Sequence, residues 1–96
     1  TSDDIVTSFR TAAFGSTDAE SIAYDTNRGV LYLEDGTTHR IYTIAPGQNG
    51  RFDGVPSTGG DDVVTSFSEE ALGTPSDGGI AYDPVHDLLY VIVSRT

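Results

Sequence analysis

The longest loop of this chain, residues 45–61, contains side chains suited to a hard cation. Asn49 and Asp53 supply an amide and a carboxylate oxygen within residues 48–54, and calcium prefers such ligands. The stretch lacks the carboxylates at alternating positions that mark an EF-hand loop. Two interpretations stay open: a site for calcium, magnesium or sodium, or a loop held by its own turns with Phe52 packed on a sheet.

Catalytic chemistry has little support in the sequence. His39 and His86 are the only histidines, and they occupy non-equivalent positions, which we expect to be exposed hairpin turns. Ser8 and Ser66 lack the Gly-x-Ser-x-Gly elbow of a nucleophile. The glycines form neither a Walker loop nor a dinucleotide fingerprint. We therefore predict no catalytic residue in this chain and no enzyme activity.

The charge balance excludes two classes of partner. Fifteen acidic and five basic residues give a formal net charge of −10. Nucleic acids and anionic membrane surfaces both require a basic footprint, so neither is expected. Acidic surfaces of this kind are typical of secreted proteins and of proteins from salt-adapted organisms, while the localisation itself stays unknown. The chain has no Cys, which excludes disulfides and thiolate metal sites.

A sequence repeat organises the chain. Residues 3–38 and 61–96 align without a gap at an offset of 58, with 15 identities in 36 positions. Repeats of this length usually form supersecondary units that stack on one another. We therefore predict a single domain, 1–96, made of a first repeat, 3–60, and a partial second repeat, 61–96.

The segments between the turns have the composition of β-strands. They are rich in β-branched and aromatic residues and are separated by strong turn formers. Residues 30–33 and 88–93 are apolar on both alternating faces, which predicts strands buried on both sides. The predicted fold is all-β and antiparallel, with strands at residues 4–9, 21–25, 30–34, 40–44, 62–67, 80–83 and 88–93.

Three of these segments resemble the a, b and c strands of a β-propeller blade. Residues 18–25, 29–35 and 40–44 are similar to blades of the NHL, gluconolactonase-like and phytase-esterase-like group, which often open with an acidic residue, a Gly-Ile-Ala stretch and an aspartate. Ser21 replaces that glycine in the first repeat, whereas Gly79 keeps it in the second. The resemblance implies four-stranded antiparallel blades, with 62–67 as strand d. The chain would be a propeller fragment of roughly two blades, the second incomplete.

The resemblance also bears on metal binding. Enzymatic propellers gather carboxylates from several blades around a cation in the central channel. Asp18 and Glu20, at the start of the first a strand, are the matching candidates here. The alternative is that Asp18 caps a turn and Glu20 is solvated.

We expect a non-enzymatic structural or binding module, because the sequence contains no catalytic constellation and two blades cannot close the ring that would hold a channel cation. The alternatives are a piece of a propeller hydrolase or lactonase with a channel cation, and a calcium-stabilised extracellular repeat. The second repeat stops before a c strand, which leaves residues 88–93 at a sheet edge. This predicts a homo-oligomer, or a chain completed by the rest of a larger propeller.

Overall fold

The structure, a computed structural model, describes residues 9–68 and 79–92 and confirms an all-β, antiparallel architecture. These residues contain six strands, of which β1-β2-β3-β4 form one sheet in that order, while β5 and β6 form a separate hairpin. The strands are β1 (Ala19–Asp25), β2 (Val30–Asp35), β3 (Arg40–Ala45), β4 (Val63–Ser68), β5 (Gly79–Asp83) and β6 (Leu88–Ile92).

The predicted strand boundaries agree with the structure to within about two residues. The predicted strand at 4–9 lies outside the described residues except for Phe9, which is not in a strand and packs on the four-stranded sheet. Two one-turn 3₁₀ helices, Thr11–Phe14 and Pro56–Thr58, were not predicted. They are the described helices, and neither is long enough to cross a membrane.

The four-stranded sheet has two faces with different coverings. On one face, Leu33, Tyr42 and Ile44 form a buried core against which Phe14 and Phe52 pack, together with Phe9, Leu31 and Val64. We call this the loop face, because the long loop supplies Phe52. The opposite face contains Ser21, Ala23 and Tyr32, and the hairpin β5–β6 covers it. β2 and β3 are thus covered on both sides, as apolar strands require, whereas β1 and β4 keep exposed apolar side chains.

The hairpins β1–β2 and β5–β6, called here the first and second hairpins, have the same register. Ala23 pairs with Tyr32, and Ala81 pairs with Tyr90 at the same offset of 58. The offset also relates the pairs Tyr24–Leu31 and Tyr82–Leu89. Residues 21–34 of the first hairpin therefore have structural counterparts at residues 79–92.

Burial of β6 differs from the expectation. β2 is covered on both faces, but Leu88 and Tyr90 on β6 are about half exposed. The prediction that 88–93 is buried on both sides is wrong for these two positions. The physical reason is that the first hairpin packs mainly on β5, and no described element covers the face of β6 that contains these two residues.

Candidate functional site

Aspartates start the three tight hairpin turns in the described part of the chain and hold them in the same way. Asp25 Oδ1 accepts hydrogen bonds from the backbone N–H groups of Asn27 and Arg28, both at 2.9 Å. The carboxylates that open the other two turns each accept the equivalent pair, with distances of 2.8 and 2.7 Å at Asp35 and of 2.9 and 3.3 Å at Asp83. This is the local bonding that makes aspartate a turn former.

The last residue of each turn adopts a left-handed backbone. Gly29, His39 and Asp87 have φ angles of 69°, 54° and 55°. Such angles favour glycine and are tolerated by Asp and His more readily than by β-branched residues. The second hairpin therefore tolerates an aspartate side chain at a position where the first hairpin has none.

Asp25 accepts four hydrogen bonds, as many as the equally buried Asp35. The buried Asp25 carboxylate also accepts from Tyr32 Oη at 2.7 Å and from Arg28 Nη1 at 2.9 Å. Burial alone would raise the pKa of Asp25, but the hydrogen bonds from Tyr32 and Arg28 outweigh it and hold the pKa well below its usual range. Asp25 is therefore a fixed negative charge beneath the turn.

Arg28 connects this charge to the second hairpin. Its guanidinium donates to both carboxylate oxygens of Asp87, with Nη2 at 2.9 Å from Oδ2. Hydrogen bonding to Asp87, followed by that to Asp25, raises the pKa of Arg28, and the guanidinium lowers the pKa of Asp87 to about 2. A forked pair of this kind fixes orientation as well as charge.

Asn27 and Tyr82 complete the contact between the two turns. Asn27 Nδ2 donates to Tyr82 Oη at 2.8 Å and to the Pro84 carbonyl at 3.0 Å, while Tyr82 donates to Asp87 at 2.6 Å. Burial, and then hydrogen bonding to Asp87, raises the pKa of Tyr82 to about 12. We call Asn27, Arg28, Tyr82 and Asp87 the polar latch.

An apolar contact continues the junction away from the latch. The rings of Tyr32 and Tyr82 lie 6.2 Å apart, and the Ile80 N–H donates to Ser21 Oγ at 3.0 Å. Ile80 is almost fully buried. The two hairpins thus contact each other through the polar latch at their turns and through largely apolar side chains along their strands.

A second cluster of charges lies in the long loop. Asp53, Asp61 and Asp62 each place a carboxylate oxygen within 4.8 Å of the others. Asp61 Oδ2 accepts from the N–H groups of Gln48 and Asn49, but its buried Oδ1 has no hydrogen-bond partner. We call these three residues the acidic cluster.

Backbone groups already hold the carboxylates of the acidic cluster. Asp62 accepts from the N–H groups of Gly54 at 2.9 Å and Asp53 at 3.3 Å. Burial, together with the neighbouring Asp53, raises the pKa of Asp62, whereas hydrogen bonding from Asn49 lowers that of Asp53. The loop is therefore pinned by its own turns and by Phe52, as one of the two interpretations expected.

The structure brings together two of the four predicted cation ligands. Asn49 Nδ2 donates to Asp53 Oδ2 at 2.6 Å, so this amide presents its nitrogen to the carboxylate. Asp18 and Glu20 are exposed and lie outside the acidic cluster. Asp18 accepts a hydrogen bond from Thr37 Oγ1 at 2.8 Å. It therefore stabilises the turn between β2 and β3 without being part of it.

Sequence reasoning missed Asp61 and Asp62 as members of the acidic cluster. Asp61 and Asp62 lie at the C-terminal end of the loop that contains Asn49 and Asp53. This closeness in sequence was the available signal. The loop brings its two ends together through the bonds from the Gln48 and Asn49 N–H groups to Asp61 Oδ2 at 3.1 and 3.2 Å. The sequence alone did not show that closure.

The histidines lie in turns, but not equally exposed ones. His86 is exposed, and its Nδ1 lies 2.7 Å from Asp83 Oδ2. His39 is only partly exposed, and its Nδ1 is buried without a hydrogen-bond partner. The expectation of two exposed histidines is therefore wrong for His39, which ends its turn against the sheet.

Glu34 is the one other carboxylate with unpaired buried oxygens in the described part of the chain. Its side chain is fully buried in β2, and neither carboxylate oxygen has a hydrogen-bond partner. Glu34 pairs with Ser21 on β1 and Ile41 on β3, so it shares the face that the second hairpin covers. Its position makes it a cost to the fold.

Comparison with protein-family models, with curated proteins and with solved structures gives no match for this chain.

Proposed function

We propose that this chain is a non-enzymatic structural or binding module of the β-propeller type. Its two blade-like units stack face to face, and it either self-associates or completes a larger propeller. Fold alone does not assign a function. The proposal therefore depends on the junction between the hairpins rather than on the resemblance of the blades.

The observation that carries the proposal is the head-to-tail contact of two hairpins with equal register. The face of the first hairpin that contains Tyr32 meets the face of the second hairpin that contains Tyr82, and these are opposite faces, because Tyr82 is the counterpart of Tyr24 rather than of Tyr32. Stacking by opposite faces can continue from unit to unit, as it does in repeat assemblies.

Sedimentation and mass photometry across micromolar concentrations test the proposal. We expect a mass that rises with concentration, together with slow amide hydrogen exchange in Leu88–Ile92, whose described partner is β5 alone. A strictly monomeric particle with rapidly exchanging β6 amides would contradict self-association. In that case the module would need the remaining blades of a longer protein.

A calcium-stabilised repeat is the second candidate, and the unpartnered Asp61 Oδ1 favours it. The Asp61 carboxylate lies beside those of Asp53 and Asp62 in a chain of net charge −10. Calcium would compensate the charges of the acidic cluster and raise the melting temperature. Melting in calcium and in chelator tests this, with Asp61→Asn as the variant and Asp18→Asn as the matched control. Equal melting temperatures with and without chelator would remove this candidate.

A further inference from the structure

Each hairpin has two faces that could form the hairpin junction, but each uses only one of them within the chain. The other face of each hairpin keeps exposed side chains. Ile80 is 7% exposed within the junction, whereas its counterpart Ile22 is 57% exposed. Tyr82 is partly buried, whereas its counterpart Tyr24 is 49% exposed. The residue types are identical, so the difference arises from the presence or absence of a neighbouring unit. We call Ile22 and Tyr24 the open first face.

On the opposite face of each hairpin the difference in exposure is reversed: the first hairpin is covered and the second is exposed. Tyr32 and Ala23 are partly buried beneath the second hairpin, whereas their counterparts Tyr90 and Ala81 are exposed. Tyr90 is 49% exposed. We call Ala81 and Tyr90 the open last face. Its side chains match, type for type, Ala23 and Tyr32 of the first hairpin, and Tyr32 already packs against Tyr82.

The long loop does not block the open first face. Phe14 and Phe52 pack on the buried core of Leu33, Tyr42 and Ile44, and Phe52 meets Tyr24 only edge-on at 6.3 Å between ring centroids. The strip along β1 that remains uncovered is the counterpart of the β5 strip used in the internal junction.

Resting on the proposed stacking function, we infer that the partner of this chain is a second copy of itself, docked head to tail. The open last face of one copy packs on the open first face of the next. Such a heterologous contact leaves one face free at each end, so it builds rings or open chains rather than closed dimers. It is a contact between sheet faces, distinct from pairing at the β6 edge.

The same comparison shows that this contact lacks the polar latch. Arg28 corresponds to His86, and Asp87 corresponds to Gly29, so no arginine–aspartate pair forms between copies. Asn27 likewise corresponds to Val85. The contact between copies is therefore weaker than the junction within one chain, and it is reversible over a measurable range of concentrations.

Surface substitutions with a mixing experiment test the inference. Ile22→Arg disables the open first face and Tyr90→Arg the open last face, and we expect each to weaken association at least about tenfold. A mixture of the two variants should form a two-chain species and nothing larger, because one intact face of each kind remains. Val63→Arg is the matched control, since Val63 is 58% exposed on β4, away from both open faces.

A transplanted latch gives an independent measurement. The double variant Gly29→Asp with His86→Arg restores the missing pair between copies and should tighten association at least about tenfold. The turn accepts the substitution, because Asp87 already occupies the equivalent position with φ of 55°. A Cβ added at Gly29 would lie 3.9 Å from Tyr24 Oη, mirroring the contact between Asp87 and Tyr82.

The outcomes separate this inference from the function on which it rests. Association that is unchanged in Ile22→Arg, in Tyr90→Arg and in the latch variant would overturn head-to-tail docking while leaving self-association in place. A wild-type chain that stays monomeric at every concentration would overturn head-to-tail docking and self-association together, and would leave only the proposal that the module completes a larger propeller. Circular dichroism of each variant shows whether the fold is retained, and a two-chain species in the mixture is itself proof of folded partners.

Discussion

The first and second hairpins share a register and an anchoring aspartate, yet they differ in how completely that aspartate is bonded. Asp25 is buried and accepts four hydrogen bonds, from Asn27, Arg28 and Tyr32. Among the residues that the structure describes, Asp83 bonds to Val85 and His86 of its own turn. The shared residues therefore define the hairpin, and the residues that differ decide how it is fixed to a neighbour.

The largest effect on stability is expected from replacing each of the two anchoring aspartates separately. Asp25→Ala leaves the Tyr32 hydroxyl, the Arg28 guanidinium and two N–H groups without their acceptor, so we expect the melting temperature to fall by about 10 °C or more. Asp83→Ala removes a local, more exposed anchor and should lower it by about half as much or less. Thermal melting followed by circular dichroism measures both.

The pH dependence provides a check on the Asp25 result. Because the folded-state pKa of Asp25 is depressed, its stabilisation is complete above the unfolded value of about 3.9 and is lost as the pH falls through the folded value. The wild type and Asp25→Ala should therefore converge in stability well below pH 4. Equal losses for Asp25→Ala and Asp83→Ala at pH 7 would contradict the comparison between the hairpins.

The next difference lies at Glu34, whose counterpart in the second hairpin is Ile92. Glu34 is fully buried with both carboxylate oxygens unpartnered. Replacing it with the residue of the other hairpin, Glu34→Ile, removes a group that is expensive to bury. We expect the free energy of unfolding to rise by roughly 1 to 3 kcal/mol.

Chemical denaturation measures this change, with Glu20→Ile on the exposed side of β1 as the control. The control should alter the free energy of unfolding by less than about 0.5 kcal/mol. Destabilisation by Glu34→Ile would show instead that the carboxylate has a partner in solution, such as a bound cation. That result would favour a cation site at β2 over one at the acidic cluster.

The sequence predicted those features that depend on local chemistry. Strand-forming residues between turn formers gave the six strands, and the offset of 58 relates residues that have the same register, such as Ala23 and Ala81. Long-range contacts were less accessible. The buried state of Asp25 and Glu34 depends on neighbouring strands and turns, and the exposure of Tyr90 depends on whether another unit is present. Identical residues cannot report that difference.

The candidate site was predicted only in part for the same reason. Asn49 and Asp53 lie close together in sequence, and their contact is local. Asp61 and Asp62 join them because the loop closes on itself. Arg28 was not singled out at all, because an arginine in a turn gives no signal until its partner Asp87, far along the chain, is placed beside it.

A smaller effect is expected from exchanging the latch residue for its counterpart. Arg28→His puts the residue of the second hairpin into the first and removes the forked pair with Asp87. We expect the melting temperature to fall by about 5 °C, and amide exchange in Leu88–Ile92 to accelerate. Arg51→His is the control, because Arg51 is exposed on the long loop. Exchange rates that are unchanged in Arg28→His would mean that apolar contacts alone hold the hairpins together.

The smallest effect concerns the two tyrosines of the junction. Burial raises the pKa of Tyr32 and of Tyr82 to about 12, with hydrogen bonds to Asp25 and Asp87 adding to the shift. Because both folded values lie above the unfolded value of about 10, the stabilisation is complete below pH 10 and is lost as the pH rises towards 12.

Absorbance at 295 nm during an alkaline titration should therefore show a late step, in which these two tyrosines ionise near pH 12. Tyr32→Phe and Tyr82→Phe should each diminish that step, and denaturant should move it to about pH 10. If the step persisted in the double variant, the junction would not be the source of the shift, and the contrast between the two hairpins would lose its electrostatic basis.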